Sequence, residues 1–367
     1  MSKVLLVGKG APDRGGIPTF LDTLLRSRLA DEHDLEFLNV AHSSTPQGGK
    51  ATAANVGRTL RDAVAVWRAA KGRDVVHIHS ALAPAVTVVR AALLALAGRA
   101  RGCAVVVHAH GGNIQFWLTT PLRRAVMRLA MLPAHRVVAV WTAGREALRV
   151  VLPEQRVGLI DNGVRVEDYA SHQAPHQAPH QPQERLPRVL YVGLLTPRKG
   201  VVDLLHASRM LRERGVDHEL CLLGGTPDEG PDAEAEVRAA LDGTAKLLGT
   251  RPPEEMPAAF AEADVFCLPS WWEAMPLSVL EAMAAGLPVV ATDVGDVSRA
   301  VADGVTGRVV PIKDPGALAA ALEPLLVDAD LRRRMGAAGH QRVSAMFSSA
   351  VTAGEVSALY AELGRAR

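Results

Sequence analysis

Six short apolar runs, Val4–Val7, Leu35–Val40, Asp74–His79, Ala104–His108, Arg136–Val140 and Arg156–Ile160, alternate with helix-like segments through the first half of the chain. The runs are continuous rather than alternating in polarity. A strand that is apolar on both faces must be covered on both faces, as in a parallel sheet between helical layers. The alternation resumes later with Val189–Val192, Glu219–Leu223, Ala263–Leu268 and Pro288–Ala291, and with an edge at Arg308–Pro311. Helical patterns fill the intervals, as at Pro18–Leu29, Val202–Glu213, Ala233–Leu241 and Pro276–Ala285. Three more close the chain at Pro315–Leu326, Leu331–Met346 and Ala350–Leu363. The pattern predicts an α/β protein of two doubly wound, Rossmann-like parallel-sheet domains.

Between the two series stands "SHQAPHQAPHQPQERLPR", Ser171–Arg188, a proline-broken polar repeat with too little apolar surface for a core. It sets the expected organisation: a domain over 1–170, a linker over 171–187, a domain over 188–345, and a helix over 346–367 returning to the first domain. At 367 residues the chain can bury a core in each domain. Ligands of such folds bind beyond the carboxyl ends of the strands, so two facing domains make a central cleft the expected site.

Charge narrows the partners. The chain carries a net +2, yet residues 1–168 hold 22 Lys and Arg against 13 Asp and Glu, a net +9, and the remainder is at −7. A basic first half suits an acidic acceptor, a lipid phosphate or a membrane surface. Chance variation in surface charge is the plain alternative, and no nucleic-acid partner is expected. No apolar run is long enough to cross a membrane, and the start at Met1–Gly8 is too short for a secretory signal. Cys103, Cys221 and Cys267 sit in strand-like runs without metal-ligand spacing. They read as reduced thiols of a cytoplasmic protein.

Two glycine turns follow strands. Gly15 and Gly16 in "VGKGAPDRGGIPTF" allow close approach of backbone to a ligand, and the helix behind them offers free N–H groups to an anion. The spacing does not fit the dinucleotide fingerprint, because Asp13 stands where its third glycine belongs. In "RVLYVGLLTPRKGVVDLL" a strand ends at Gly193, and Arg198, Lys199 and Gly200 lead into a helix. That is either a diphosphate site or a solvated basic turn.

The stretch "SWWEAMPLSVLEAMAAGLPVVATDVGD" holds Glu273 and, within an otherwise uncharged run from Ala274 to Thr292, Glu281. Pro276 suits the first turn of a helix. At 100° per residue Glu281 falls inside the apolar stripe of that helix, beside Leu277, Leu280 and Ala284. A buried carboxylate needs donors from the protein or a ligand, and ribose hydroxyls qualify. Glu273 precedes the helix, at the end of a strand, with the amides of Met275, Leu277 and Ser278 after it. The pair reads as two clamps on one long ligand, against one structural salt bridge and one surface glutamate.

The ordered set of Asn162-Gly163, Arg198–Gly200, "LLGT" at Leu247–Thr250, the two-glutamate stretch and "DGVTGRVVP" at Asp303–Pro311 resembles glycosyltransferase family 4, retaining enzymes of GT-B fold. "GGI" and "VVHAHGG" resemble the acceptor domain of that family. The resemblance implies a nucleotide-diphosphate sugar, UDP by family habit, as donor substrate. No Asp-x-Asp stands in a site-like loop, because Asp328-Ala329-Asp330 lies between C-terminal helices, so no metal and no other cofactor is expected. It assigns Glu281 to the ribose and Glu273 to the donor sugar. Arg198 and Lys199 neutralise the diphosphate, the amides near Met275, Leu277 and Ser278 bind sugar or diphosphate, and Gly249 and Thr250 hold the base. Gly16 approaches the diphosphate, with Gly15 beside it on the acceptor side, and His110 lies near the reacting sugar. Departures are Leu194 where an arginine is frequent, Ala274 for a frequent glycine, and Trp141 where a small hydroxyl residue is common.

Acceptors consistent with this are a saccharide, a lipid-linked saccharide or a small molecule. The helix "IQFWLTTPLRRAVMRLAMLP", Ile114–Pro133, with Arg123 and Arg124, is either a peripheral contact with the inner face of a membrane or an amphipathic helix with a basic outer face. Two other functions fit the architecture: a sugar-nucleotide 2-epimerase, and a non-catalytic scaffold of a polysaccharide assembly complex.

Overall fold

The computed structural model describes residues 1–13, 15–41, 52–111, 114–170, 185–225, 231–241 and 243–365. The chain forms two compact units, Met1–Gly163 with Ser349–Arg367, and Val164–Ser348. Residues 171–184 of the expected linker lie outside the described residues.

In the N-terminal unit the strands are β1 (Lys3–Gly8), β2 (Asp34–Asn39), β3 (Val75–Ser80), β4 (Ala104–Ala109), β5 (Arg136–Ala139) and β6 (Val157–Leu159). They form one parallel sheet in the order β2-β1-β3-β4-β5-β6. The helices are α1 (Gly16–Leu25), α2 (Leu29–Glu32), α3 (Ala53–Ala69), α4 (Ala85–Arg99), α5 (Ile114–Trp117), α6 (Pro121–Ala130) and α7 (Thr142–Arg149). Alternate strand residues face opposite layers. Val4, Leu6, Val75 and Val106 pack with Phe20, Leu21 and Leu24 of α1, whereas Val76 on the other face meets Gly98 of α4. A Cβ on Gly98 would stand 3.1 Å from Val76, so the glycine lets α4 lie close to the sheet.

In the C-terminal unit the helices are α8 (Glu167–Ala170), α9 (Val201–Glu213), α10 (Pro231–Ala240), α11 (Met256–Ala261), α12 (Leu277–Ala284), α13 (Val297–Ala300), α14 (Pro315–Val327) and α15 (Ala329–Met346). The strands β7 (Arg188–Val192), β8 (Glu219–Leu223), β9 (Ala245–Gly249), β10 (Val265–Leu268), β11 (Val289–Thr292) and β12 (Gly307–Val310) form a second parallel sheet in the order β12-β11-β10-β7-β8-β9. The final helix, α16 (Ser349–Arg365), buries Ala353, Val356, Tyr360 and Leu363 in the core of the N-terminal unit.

Three details differ from the sequence reading. Residues 164–170, read with the first domain, pack in the second: Val164 bridges to Ser348, and Tyr169 sits edge-on to Phe260. Strand β9 was not expected, because it is an edge strand with mostly exposed side chains and gives no apolar run. Pro276 is the N-cap of α12 in extended backbone rather than a helical residue.

Candidate active site

In each sheet the chain reverses its direction of travel at one point, between β1 and β3 and between β7 and β10. In doubly wound sheets such a point, at the carboxyl ends of the strands, is where ligands are ordinarily bound.

At the β7/β10 point, Lys199 from the loop after β7 meets Glu273 from the loop after β10. Lys199 Nζ donates to Glu273 Oε1 at 2.6 Å, and Ser270 Oγ donates to the same oxygen at 2.8 Å. The reason for glycine after Lys199 is steric. Gly200 has φ +69, and a Cβ there would lie 1.9 Å from the Pro269 carbonyl oxygen. Only glycine lets the β7 loop touch the β10 loop, and that contact delivers Lys199 to Glu273. Trp271 adds two ties, its N–H donating to the Arg198 carbonyl at 3.0 Å and its Nε1 to Asp203 at 2.6 Å. The Lys313 ammonium lies over its ring at 4.3 Å.

The loop into α12 is fixed from the other side by Gly295. Its φ is +56, a Cβ would fall 2.1 Å from the Ala274 carbonyl, and Asp296 N donates to that carbonyl at 2.8 Å. Helix α12 therefore begins at Leu277 with its first amides, including those of Leu277 and Ser278, aimed along the positive end of the helix. Glu281 follows on the second turn. Burial pushes its carboxyl up to about 7, opposed by a hydrogen bond from the Tyr169 hydroxyl. Tyr169 is itself buried and held well above the ordinary phenol range, by desolvation first and then by the Glu281 charge. The Tyr169 hydroxyl thus donates to the carboxylate, and Glu281 is left partly exposed.

The remaining expected residues fall around these loops with less to hold them. Gly249 (φ +69) and exposed Thr250 close the edge strand β9, where the Gly249 carbonyl accepts from Gly224 N at 2.8 Å. Arg198 is half-buried beside Lys199. Leu194 points an exposed side chain outward, and its carbonyl accepts from the Tyr191 hydroxyl at 2.7 Å.

In the N-terminal unit Gly15 caps α1 at φ +121, and Gly16 is its first residue. Among the described residues, neither has another atom within 4 Å of a Cβ placed there. His110 follows β4 directly, and its Nε2 is hydrogen-bonded to His79 Nδ1 at 3.0 Å. Behind them His77 Nδ1 is bonded to the Tyr360 hydroxyl at 2.7 Å, and the His108 ring on β4 lies parallel to that of His77. Burial lowers all four imidazoles, His108 to about 3, so they are neutral at physiological pH. Ring nitrogens of His77, His79 and His108 lie within 4.8 Å of one another. Neutral imidazoles at that spacing are a donor set for a metal ion. Sequence spacing missed this group because the register pairing His79 with His108 joins two separate strands.

Arg123 and Arg124 are exposed on α6, and their guanidinium groups turn to the Trp117 and Leu118 carbonyls rather than to His110. Trp141, the departure after the fifth strand, lies in the core. It is fully buried, with Gly144 under its indole. Ser270, Tyr169 and Gly295 were missed as well, since each acts through a contact that sequence spacing does not encode.

Residues 14–168 match the family described as Glycosyltransferase Family 4, and residues 173–342 match Glycosyl transferases group 1. The phosphatidyl-myo-inositol mannosyltransferase of Mycolicibacterium smegmatis is 31% identical over 315 residues, 84% of this chain and 76% of that protein. The chain belongs to glycosyltransferase family 4. A second family relative, the D-inositol 3-phosphate glycosyltransferase of Corynebacterium efficiens, is 41% identical over 182 residues, 47% of this chain and 42% of that protein. The chain thus spans about two fifths of the length of that relative. Among solved structures, sucrose-phosphate synthase from Thermosynechococcus elongatus superposes with TM-score 0.77 at 22% identity, covering 100% of both chains. Anabaena HepE in complex with UDP-glucose gives 0.74 at 18% identity, covering 99% of this chain and 100% of that one. The fold is GT-B.

Proposed function

We propose that this family 4 member is a retaining glycosyltransferase that moves a hexose from a nucleotide-diphosphate sugar, UDP-linked, to a saccharide, lipid-linked or small-molecule acceptor. The observation that carries the reading is the Lys199–Glu273 pair joining the loops after β7 and β10, with the α12 N-terminus and Glu281 following Glu273 in the chain. Those groups suit three successive parts of one donor. The Glu281 carboxylate accepts from the ribose hydroxyls, and Gly249 and Thr250 border the base. The Met275, Leu277 and Ser278 amides, with Arg198 and Lys199, stabilise the charge that grows on the diphosphate as the bond from the sugar C1 breaks. Glu273, held by Lys199 and Ser270, accepts from a sugar hydroxyl.

In the N-terminal unit His110 is read as a positioning and electrostatic residue for the sugar, with Gly15 and Gly16 on the acceptor and diphosphate sides. Arg123 and Arg124 are read as acceptor-side cations. Retention follows from attack on the face that the leaving group departs. The acceptor oxygen bonds to C1, and its proton passes to the departing phosphate oxygen. The cations make a metal on the diphosphate unnecessary. Asp328 and Asp330, the two acids of an Asp-x-Asp sequence, are engaged elsewhere: Asp328 caps α15 and Asp330 pairs with Arg333. The basic N-terminal unit fits a cytoplasmic protein that meets the inner face of a membrane peripherally.

A panel of UDP-, GDP- and other nucleotide-sugars in a thermal-shift assay tests this. At least one should raise Tm, and the same donor should be slowly hydrolysed by the purified chain. If none shifts Tm, the assignment fails. Epimerised sugar formed without acceptor would replace it with the 2-epimerase reading.

A further inference from the structure

The +9 excess of residues 1–168 is confined to one stretch. Residues 53–132 hold eleven Lys and Arg against Asp62 and Asp74, a net +9. Asp62 is buried against Arg90 at 3.0 Å, and Asp74 accepts from the Lys3 amide at 2.8 Å. The stretch builds α3, α4 and α6. Helix α3 carries Val56, Leu60, Val64 and Trp67 at helical spacing, all exposed, and α4 carries exposed Val89 and Leu96. Between the two helices runs an open groove of about 300 Å³ lined by apolar side chains alone, among them Leu60, Val64, Trp67, Leu93 and Leu96. Exposed Leu122 and Leu129 on α6 extend the apolar surface. Arg61, Arg68, Lys71 and Arg99 are exposed around it, and the Arg101 guanidinium lies 3.4 Å above the Trp67 ring.

An amphipathic helix hides its apolar stripe against something. Here the stripe is outside, and its border is cationic. A second copy docking on the same face would set arginine against arginine. A surface of one charge around an apolar centre is complementary to lipid: the side chains enter the acyl boundary while the cations meet anionic headgroups. We infer that the α3–α4 groove, continued by α6, docks the protein on a bilayer containing anionic lipid. This rests on the peripheral-membrane part of the proposed function. It moves the contact from the Ile114–Pro133 stretch alone to a face centred on Leu60, Trp67 and Leu96.

The test is co-sedimentation of the full chain with phosphatidylglycerol/phosphatidylcholine vesicles and with pure phosphatidylcholine vesicles. Binding should occur to the first, be at least tenfold weaker to the second, and fall steeply with salt. Leu60→Ser with Leu96→Ser should weaken binding at least tenfold. Arg61→Glu with Arg68→Glu, checked for folding by circular dichroism, should do the same without touching the groove. Absence of binding to anionic vesicles, equal binding to neutral ones, or full binding by both variants overturns the inference. So does a dimer in light scattering that Leu60→Ser with Leu96→Ser dissolves. Thermal shift with UDP-sugars, run on the same samples, separates the two claims. A retained shift with lost vesicle binding removes only the docking face, and loss of both in the parent chain removes the function with it.

Discussion

Replacing Glu281 by Gln should make the ligand-free protein more stable above neutral pH while removing its response to donor. The carboxyl is pushed from its ordinary 4.5 up to about 7 by burial, with the Tyr169 hydroxyl opposing the shift. The folded state therefore holds a proton that the unfolded chain has released. Stability falls as pH rises through the window from 4.5 to 7, and the whole cost is present above 7. At about 1.4 kcal/mol per unit the cost is roughly 3 kcal/mol, an upper figure because the residue is partly exposed. Glutamine cannot ionise and can still accept from Tyr169, so Glu281→Gln should be near the parent at pH 5 and up to about 3 kcal/mol more stable at pH 8. Urea unfolding at both pH values checks this, followed through the fluorescence of Trp271 and Trp272 in the same unit. With donor at 1,000 times its Kd the order should reverse, because the parent gains about 4.1 kcal/mol by linkage and the variant loses its ribose contact. A variant that loses equal stability at pH 5 and pH 8 would refute the reasoning, since Glu281 would then be an ordinary ionised partner.

Lys199→Ala leaves Glu273 with Ser270 as its partner among the described residues and removes a cation from beside it. Transfer should fall at least 100-fold, a loss of about 2.7 kcal/mol or more in transition-state stabilisation, measured as kcat/KM. Gly295→Ala puts a Cβ into the Ala274 carbonyl, so Tm should drop and donor binding weaken together, with a stability loss of at least about 2 kcal/mol. The buried histidines act opposite to Glu281. Their folded values lie below 6.5, so they contribute stability above 6.5 that is lost as pH falls below it. Hydrogen exchange at pH 5.5 and 7.5 should show the N-terminal unit opening more readily at the lower pH. Tyr169→Phe should raise the pH at which donor binding saturates, read from a pH profile of KM, because the Glu281 carboxylate loses its donor.

Much of this architecture follows from local pattern. Continuous apolar runs demanded parallel sheets, and their placement located eleven of the twelve strands. The twelfth, β9, lies at an edge and buries little, so burial left no mark in its composition. The helical angle of Glu281 was legible for the same reason, since an apolar stripe is a periodic property of one segment. Its partner was not, because Tyr169 lies over a hundred residues earlier in the chain and on another helix.

The sequence alone determined the fold class, the cationic excess of the first half and the place of Glu281 within an apolar helical stripe. Each of these depends on residue type and short-range period. The tertiary structure decided which groups meet. Gly200 against Pro269 brings Lys199 to Glu273, the β3/β4 register assembles four histidines, and α16 carries Tyr360 to His77. It also placed Trp141 in the core and left Trp67 outside. Those outcomes depend on strand order and on close backbone contact between distant segments, which are properties of the packed chain.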